Sequence, residues 1–421
     1  MNKIFKTAAI LCSVLLLPFS AFATNGDNLI GIGPISRAMG GVGIAAPQDA
    51  ISATFANPAA MCFTGCCDES QFDFAATLFS PTISGKVTIG GDFKPSTLDP
   101  KYAGFDPGSY ENDADKKTYM VPAFGFTTGI NEKLRFGLAA YGITGLGVDH
   151  SDSELSQGTI AADNTQLMIL KVAPTLAYEV TGNLSIGAAI HVVNSTLDLT
   201  QGSSAAYGYG VQLGALYHKD SMHYGLTYLS PIAADHKNVF DLDQDGSVDD
   251  FELEAPQQLG LGIAYEPNES FLVEFNSKWI NWSDASGYDD LDWDDQIVVA
   301  IGVEFKPIDS LSLRLGYNYA ESQIDSHKNF SGGSTVNIQG KQVNTYGAET
   351  LRIIGFPAAV EQHVTVGLGY QVTPAVTVNL GYMHAFEESV TSTGTTPFGN
   401  EVEIEYEVSE DALDFSISWI F

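Results

Sequence analysis

The chain has 421 residues, with 51 acidic against 19 basic side chains and a net charge of −32. An excess of that size excludes nucleic acid as a partner, because a phosphate backbone is bound through lysine and arginine. Beyond the first two dozen residues no stretch is apolar enough to span a bilayer as a helix, which leaves an exported soluble protein or a barrel.

Residues 1–23, MNKIFKTAAILCSVLLLPFSAFA, have the layout of a secretory signal peptide. Lys3 and Lys6 give the positive start, Ala8 to Pro18 the apolar run, and Ala21-Phe22-Ala23 a small-x-small cleavage site. The apolar run is too short for an anchor. Cleavage after Ala23 removes two lysines and no acid, taking the net charge from −32 to −34.

Residues 24–68 form a compact unit rich in Gly and Ala, and from 33 to 61 only Arg37 and Asp49 carry charge. Ser36-Arg37-Ala38-Met39 followed by Gly40-Gly41 predicts a helical turn stopped by glycine. Asp49 predicts the cap of a short helix through Ala56, ended by Asn57-Pro58. Small residues pack tightly, few charges need partners, and Ile30, Ile32, Ile35, Met39, Ile44, Ile51, Phe55 and Met61 supply apolar anchors. That combination reads as a plug inside a wall. In an oxidising compartment the CFTGCC stretch permits one disulfide, Cys62 with Cys66 or with Cys67.

From residue 69 to the end the dominant period is two. ALDFSISWIF places Leu413, Phe415, Ile417, Trp419 and Phe421 on one face and Asp414, Ser416 and Ser418 on the other. About fourteen such segments follow one another, near 70–80, 117–129, 133–147, 165–180, 184–199, 205–219, 221–232, 256–266, 269–282, 296–306, 310–324, 361–372, 375–387 and 408–421. Short turns at 128–133, 180–183, 218–221, 266–270, 306–310 and 372–375 alternate with long polar loops near 81–116, 148–164, 233–255, 283–295, 325–360 and 388–407. A soluble sandwich has no reason to sort its connections by length, whereas an outer-membrane barrel does. A glycine-rich second face suits a lumen filled by something else. Tyr265, Trp279, Trp282, Tyr370 and Tyr382 are expected at the membrane interfaces. The expected fold class is therefore all-β, a transmembrane antiparallel barrel of about fourteen strands with an N-terminal plug, in the outer membrane of a Gram-negative bacterium.

Ser36-Arg37-Ala38, Gly41-x-Gly43-x-Ala45, Asp49-Ala50 and Asn57-Pro58-Ala59, in this order after a signal peptide, resemble the hatch of FadL-type long-chain fatty acid transporters, a family that includes toluene and xylene channels. Segments 213–228, 279–283 and 366–386 extend the resemblance through the barrel. It implies hatch or gating roles for Arg37, Gly40, Gly41, Asn57, Pro58 and Ala59, and exit of the ligand sideways at a kink in the third strand. The matching strand, LRFGLAAYGITGLGV, carries Gly142, Gly145 and Gly147, which either build that kink or make room for the plug. Inward-phased Leu167, Ile169, Leu216, Leu272 and Val298 point to an oily ligand pocket. Lys171, Lys278 and Arg314 share that phase, either as partners of acids or of a ligand carboxylate. The short connection at 200–204 stands where relatives carry helices of an outer catching groove.

The implied function is passive uptake of long-chain fatty acids or related lipophilic compounds; the alternatives are neutral aromatic hydrocarbons in the same fold, or a general porin. Expected partners are those ligands, outer-membrane lipid and lipopolysaccharide, and, through the terminal Phe421, the barrel assembly machinery. No catalytic set is visible: His191, His223, His363 and His384 fall on separate strands without a Ser or Cys beside them, so no enzyme is expected. No cofactor is required, but residues 241–252, DLDQDGSVDDFE, match a calcium-loop pattern. Asp241, Asp243, Asp245, Ser247, Asp249 and Glu252 would be its ligands; the competing reading is a solvated acidic loop.

Overall fold

The computed structural model describes residues 25–62, 69–114, 118–158, 164–199 and 201–421. The expected signal peptide, and Cys66 and Cys67 as disulfide partners of Cys62, lie outside them.

The alternating segments form fourteen strands, each antiparallel to the next. They are β1 (Gln71–Ile89), β2 (Tyr119–Gly129), β3 (Leu134–Asp149), β4 (Asn164–Thr181) and β5 (Leu184–Leu199). There follow β6 (Gly202–Lys219), β7 (Met222–Leu229), β8 (Gln258–Asn268), β9 (Phe271–Ile280) and β10 (Gln296–Ile308). The last four are β11 (Leu311–Ala320), β12 (Gln362–Thr373), β13 (Val376–Thr395) and β14 (Glu401–Ile420). β14 then pairs with β1, from Gln71 opposite Ile420 to Ile89 opposite Val402, so the sheet closes on itself.

Burial along the strands shows what surrounds the barrel. On β14 the outward Leu413, Phe415, Ile417 and Trp419 are 38–54% exposed, while the inward Ala412, Asp414, Ser416 and Ser418 are buried. Ile297, Ile301 and Phe305 on β10, and Leu259, Leu261 and Ile263 on β8, repeat the pattern. A wall that shows its apolar side outward all the way round is stable in lipid, not in water. At the outer end this band gives way to polar contacts, Tyr382 Oη donating to Asp411 Oδ1 at 2.6 Å and His384 Nδ1 standing 2.9 Å from the same oxygen. Among the described residues no helix is long and apolar enough to cross a membrane.

All six short turns join strands at one end. At the other end the structure departs from the expected boundaries. β1, β13 and β14 continue as ladders beyond the predicted 70–80, 375–387 and 408–421, so much of the expected loops at 81–116 and 388–407 is strand, with Gly108–Asp113 paired to the end of β1. Their buried residues there, among them Val87, Ile404 and Tyr406, pack against loop residues such as Ile353 and Ile354 instead of facing lipid. The loop after β7 folds into a hairpin of Ile232–Phe240 and Asp249–Ala255. The loop after β11 contains the hairpin Thr335–Ile338 with Lys341–Asn344 and the helix Thr345–Thr350. Trp282 is a correction: it is fully buried beyond the end of β9, its ring 4.7 Å from that of Tyr288 and 5.1 Å from that of Trp293, and does not sit at the lipid interface.

Candidate functional site: the lumen and its N-terminal segment

Residues 25–62 fold against the inner face of the wall. Their helices are α1 (Gly33–Ala38) and α2 (Ala50–Ala56), followed by a 3-10 turn at Pro58–Cys62. α1 starts on Pro34, whose fixed φ suits a first turn. It ends where Gly40 and Gly41 take φ of +72° and +82°, conformations that a side chain would strain. α2 is capped by Asp49, which accepts from the Ser52 N–H at 2.6 Å, and stops at Asn57 before Pro58.

The wall makes room for this segment with glycine. A Cβ at Gly125 of β2 would stand 2.6 Å from Ile51 N, and one at Gly302 of β10 would stand 2.6 Å from Met39 Cβ. Inward glycines on β5, β6, β7, β8, β11 and β12 meet the segment in the same way, Gly187 at Pro58, Gly225 at Ile44 and Gly367 at Ala38 among them.

Polar side chains of the wall receive its backbone. Arg37 Nη1 donates to Asp414 Oδ1 on β14 at 2.7 Å and to Thr77 Oγ1 on β1 at 3.1 Å. Glu274 Oε1 on β9 accepts from the N–H groups of Gly43 and Ala45 at 3.1 and 2.7 Å. Asp73 Oδ2 accepts from Ala50 N at 2.7 Å. Gly40 donates through its N–H to Thr365 Oγ1 and accepts at its carbonyl from Asn318 Nδ2, each at 3.0 Å. Asn57 Nδ2 donates to Ala215 O at 3.2 Å, and Ser185 Oγ to Ala59 O at 2.7 Å. Thus Arg37, Gly40, Asn57 and Ala59 bond directly to the wall, Pro58 packs on Gly187, and Gly41 packs on Ile30. The receiving residues, Asp73, Glu274, Asn318 and Asp414, were visible only as polar residues on inward phases.

The wall is incomplete between β2 and β3. β3 bulges at Ile143, between Gly142 and Thr144, and the Ile143 carbonyl turns from the ladder to accept from Leu29 N at 3.0 Å. β2 pairs with β3 only from Gly129 opposite Arg135 to Ala123 opposite Tyr141. Beyond that point β2 stays on β1 as far as Tyr119, while β3 stays on β4 as far as Asp149. A slot without backbone pairing results. Its glycines make room for side chains of β2: a Cβ at Gly142 would stand 2.6 Å from Val121 Cγ1, and one at Gly147 would strike the Tyr119 hydroxyl. Gly145 pairs with Met168 on β4.

Behind the slot lies a cavity of about 50 Å³, lined by Leu29, Ile44, Phe55, Tyr141, Ile143 and Ile280 together with Lys171, His191 and Lys278. Among the described residues Lys171 and Lys278 form no ion pair, and the carboxylate of Asp27 acts on Lys171. Asp27 accepts a hydrogen bond from Tyr288 Oη, and burial raises its pKa to about 6. Arg314 differs, since Glu304 Oε2 lies 2.6 Å from its Nη2. The five predicted pocket residues are all buried, but they do not gather in one pocket. Leu167, Ile169 and Val298 join the large apolar cluster that includes Leu29 and Tyr141. Leu216 and Leu272 instead border a vestibule of about 390 Å³ at the short-turn end. Phase alone places a residue inside but says nothing of its depth.

In the 241–252 loop three of the six predicted calcium ligands converge: carboxylate oxygens of Asp241, Asp243 and Asp249 lie within 4.8 Å of one another. Asp245 and Glu252 are not in that group. Asp245 accepts from Ser247 N at 2.8 Å, and Glu252 belongs to the strand Asp249–Ala255, not to a helix that would return it to the loop. The ammonium of Lys341 stands among the acids, 2.6 Å from Asp249 Oδ1 and 3.2 Å from Asp243 Oδ2. A Ser-His contact does occur, Ser195 Oγ lying 3.0 Å from His236 Nε2, but among the described residues the other ring nitrogen is buried without a hydrogen-bond partner.

A closed fourteen-stranded barrel with an apolar exterior and an occupied lumen defines an outer-membrane transport protein. The family described as outer membrane protein transport protein (OMPP1/FadL/TodX) matches residues 18–204 and 191–331, and the chain belongs to it. Members are passive channels for hydrophobic compounds, not enzymes. No curated protein matches the chain. Among solved structures, a FadL homologue of Pseudomonas aeruginosa is similar over 95% of this chain and 99% of its own, at 15% identity and a TM-score of 0.67. The toluene transporter TodX of P. putida covers 92% and 99% at 20% identity and 0.62. The toluene transporter TbuX of Ralstonia pickettii covers 93% and 99% at 17% and 0.60. At these identities the likeness is one of fold.

Proposed function

We propose that this protein carries hydrophobic molecules with an acidic head, long-chain fatty acids foremost, from the cell exterior into the lumen and out sideways through the slot between β2 and β3. The observation that carries this reading is the pair Lys171 and Lys278, two ammonium groups without an ion-pair partner among the described residues, in a cavity whose other lining is apolar (Leu29, Phe55, Tyr141) or uncharged polar (Asn25, Asn28, Gln212). Burying such charge is unfavourable unless something neutralises it, and a ligand carboxylate is the partner that a fatty acid brings. At about 50 Å³ the cavity holds a water or two and no acyl chain, so binding must displace Leu29, Phe55 or their neighbours in the N-terminal segment. That segment is the hatch in this reading, and the bond from Leu29 N to the bulged Ile143 carbonyl links its movement to the slot.

A second reading is transport of neutral aromatics, favoured by the likeness to two toluene transporters. Binding of radiolabelled oleate and toluene to the purified protein separates the two. Replacing both Lys171 and Lys278 by Met removes charge-assisted bonds worth about 1.5–3 kcal/mol each, so oleate affinity should fall at least about tenfold while toluene binding stays. Unchanged oleate binding would refute the acidic-head reading.

A further inference from the structure

At the short-turn end, β6 and β7 are joined through Asp220 and Ser221, and the register sets His218 directly opposite His223. Both rings are on the lumen side, with centroids 4.5 Å apart, and the two Nδ1 atoms stand 3.1 Å from each other. Nε2 of His223 lies 3.5 Å from Glu266 Oε2. Glu266 is held in place, its N–H donating to Ser221 O at 2.9 Å.

We propose that His218 and His223 form a binding site for a first-row transition-metal cation, Cu²⁺ or Zn²⁺, ligated through the two Nδ1 atoms. Two nitrogens each about 2.0–2.1 Å from one ion, at an angle somewhat above 90°, stand about 3.1 Å apart, the spacing found here. The side chain of Glu266 sets the tautomer: by accepting from Nε2–H of His223 it leaves the Nδ1 lone pair free, the arrangement in which a carboxylate orients a metal-binding imidazole. The carboxylates of Glu266 and Asp220 add negative charge beside His218. The remaining coordination positions open toward the vestibule, which His223 and Glu266 line, so water completes the shell. Without metal, the 3.1 Å contact needs a proton on one of the two nitrogens, and with the His223 Nδ1 lone pair free it sits on His218 Nδ1; a bound cation takes its place there while the neutral His218 ring carries its one proton on Nε2, so no net proton is released. Among divalent ions the site should prefer Cu²⁺. The site is independent of which hydrophobic ligand the lumen carries.

The test is calorimetric titration of CuCl₂ and of ZnCl₂ alone into the detergent-purified full chain, without a histidine tag and with thiols alkylated. One cation should bind per chain, with no net proton released at a pH where both rings are neutral. His218→Gln and His223→Gln should each weaken it at least tenfold, and Glu266→Gln about tenfold. His384→Gln should leave it unchanged. Electron paramagnetic resonance of the copper form should show two equivalent nitrogen couplings, lost in either histidine variant. Gel mobility before and after boiling verifies that each variant keeps its barrel. Absence of the two-nitrogen signal, or equal affinity in the parent and both histidine variants, overturns the proposal.

Discussion

Arg37 of α1 and Asp414 of β14, 377 residues apart in sequence, meet at 2.7 Å with both side chains almost fully buried. This pair ties the N-terminal segment to the seam where the last strand closes on the first. A buried pair is worth little against two apolar residues, but breaking it by half leaves a charge in a dry site at about 3–5 kcal/mol. Arg37→Met should therefore loosen the segment, and the double variant Arg37→Met with Asp414→Leu should recover most of the loss. Liposome swelling with small sugars reads this out: faster permeation in the single variant than in the parent or the double variant.

The slot beside β3 makes a second expectation. Gly142→Val adds two methyl groups where Val121 Cγ1 already stands 2.6 Å from a Cβ position. Overpacking of this kind costs about 1–3 kcal/mol and closes the gap. If ligand leaves there, uptake of labelled oleate by cells should fall several-fold while binding to the purified protein stays within twofold.

His327 gives a pH dependence to the outer loops. It stands 2.6 Å from Glu349 of the helix Thr345–Thr350 and 2.9 Å from Asp292 in the loop after β9. The hydrogen bond to Glu349 raises its pKa above the ordinary histidine value of 6.5. A raised pKa means that the charged form is favoured in the folded state, so the stabilisation is complete below 6.5 and is lost as pH rises through the raised value. Hydrogen exchange in residues 283–295 and 325–360 should quicken from pH 6 to pH 9 beyond the intrinsic base dependence, and His327→Gln should remove the excess.

A calcium ion at Asp241, Asp243 and Asp249 would have to compete with Lys341 for the same acids. With the ammonium in contact with Asp243 and Asp249, a divalent ion must displace it. Lys341→Met should accordingly bind calcium at least tenfold more tightly than the parent, and Asp243→Ala should abolish the gain. Calorimetry with CaCl₂ decides it; equal affinities would mean that the lysine does not hold the site.

The elements of this protein were legible where local chemistry sets them. Period two sets a strand's faces, so the inward phase of Asp414 and the outward phase of Trp419 could be read directly. The Asp49 cap and the Asn57-Pro58 stop are equally local. Partnerships across the barrel were not legible, because nothing near Arg37 names Asp414 and nothing near Lys171 names Lys278. Leu167 and Leu216 show the same limit, since both are inward but face different compartments. The slot was expected only through the family resemblance, at Gly142, Gly145 and Gly147; the residues occupying the gap, Val121 and Tyr119, lie on the neighbouring strand and could not be named from the sequence.

The most direct test is a crystal structure with a bromine-labelled long-chain fatty acid, the halogen marking the chain by anomalous scattering. The account predicts the carboxylate within hydrogen-bonding distance of Lys171 and Lys278, with the bromine in the apolar space opened by Leu29 and Phe55. Bromine peaks confined to the vestibule or the outer wall, with both lysines unliganded, would contradict it.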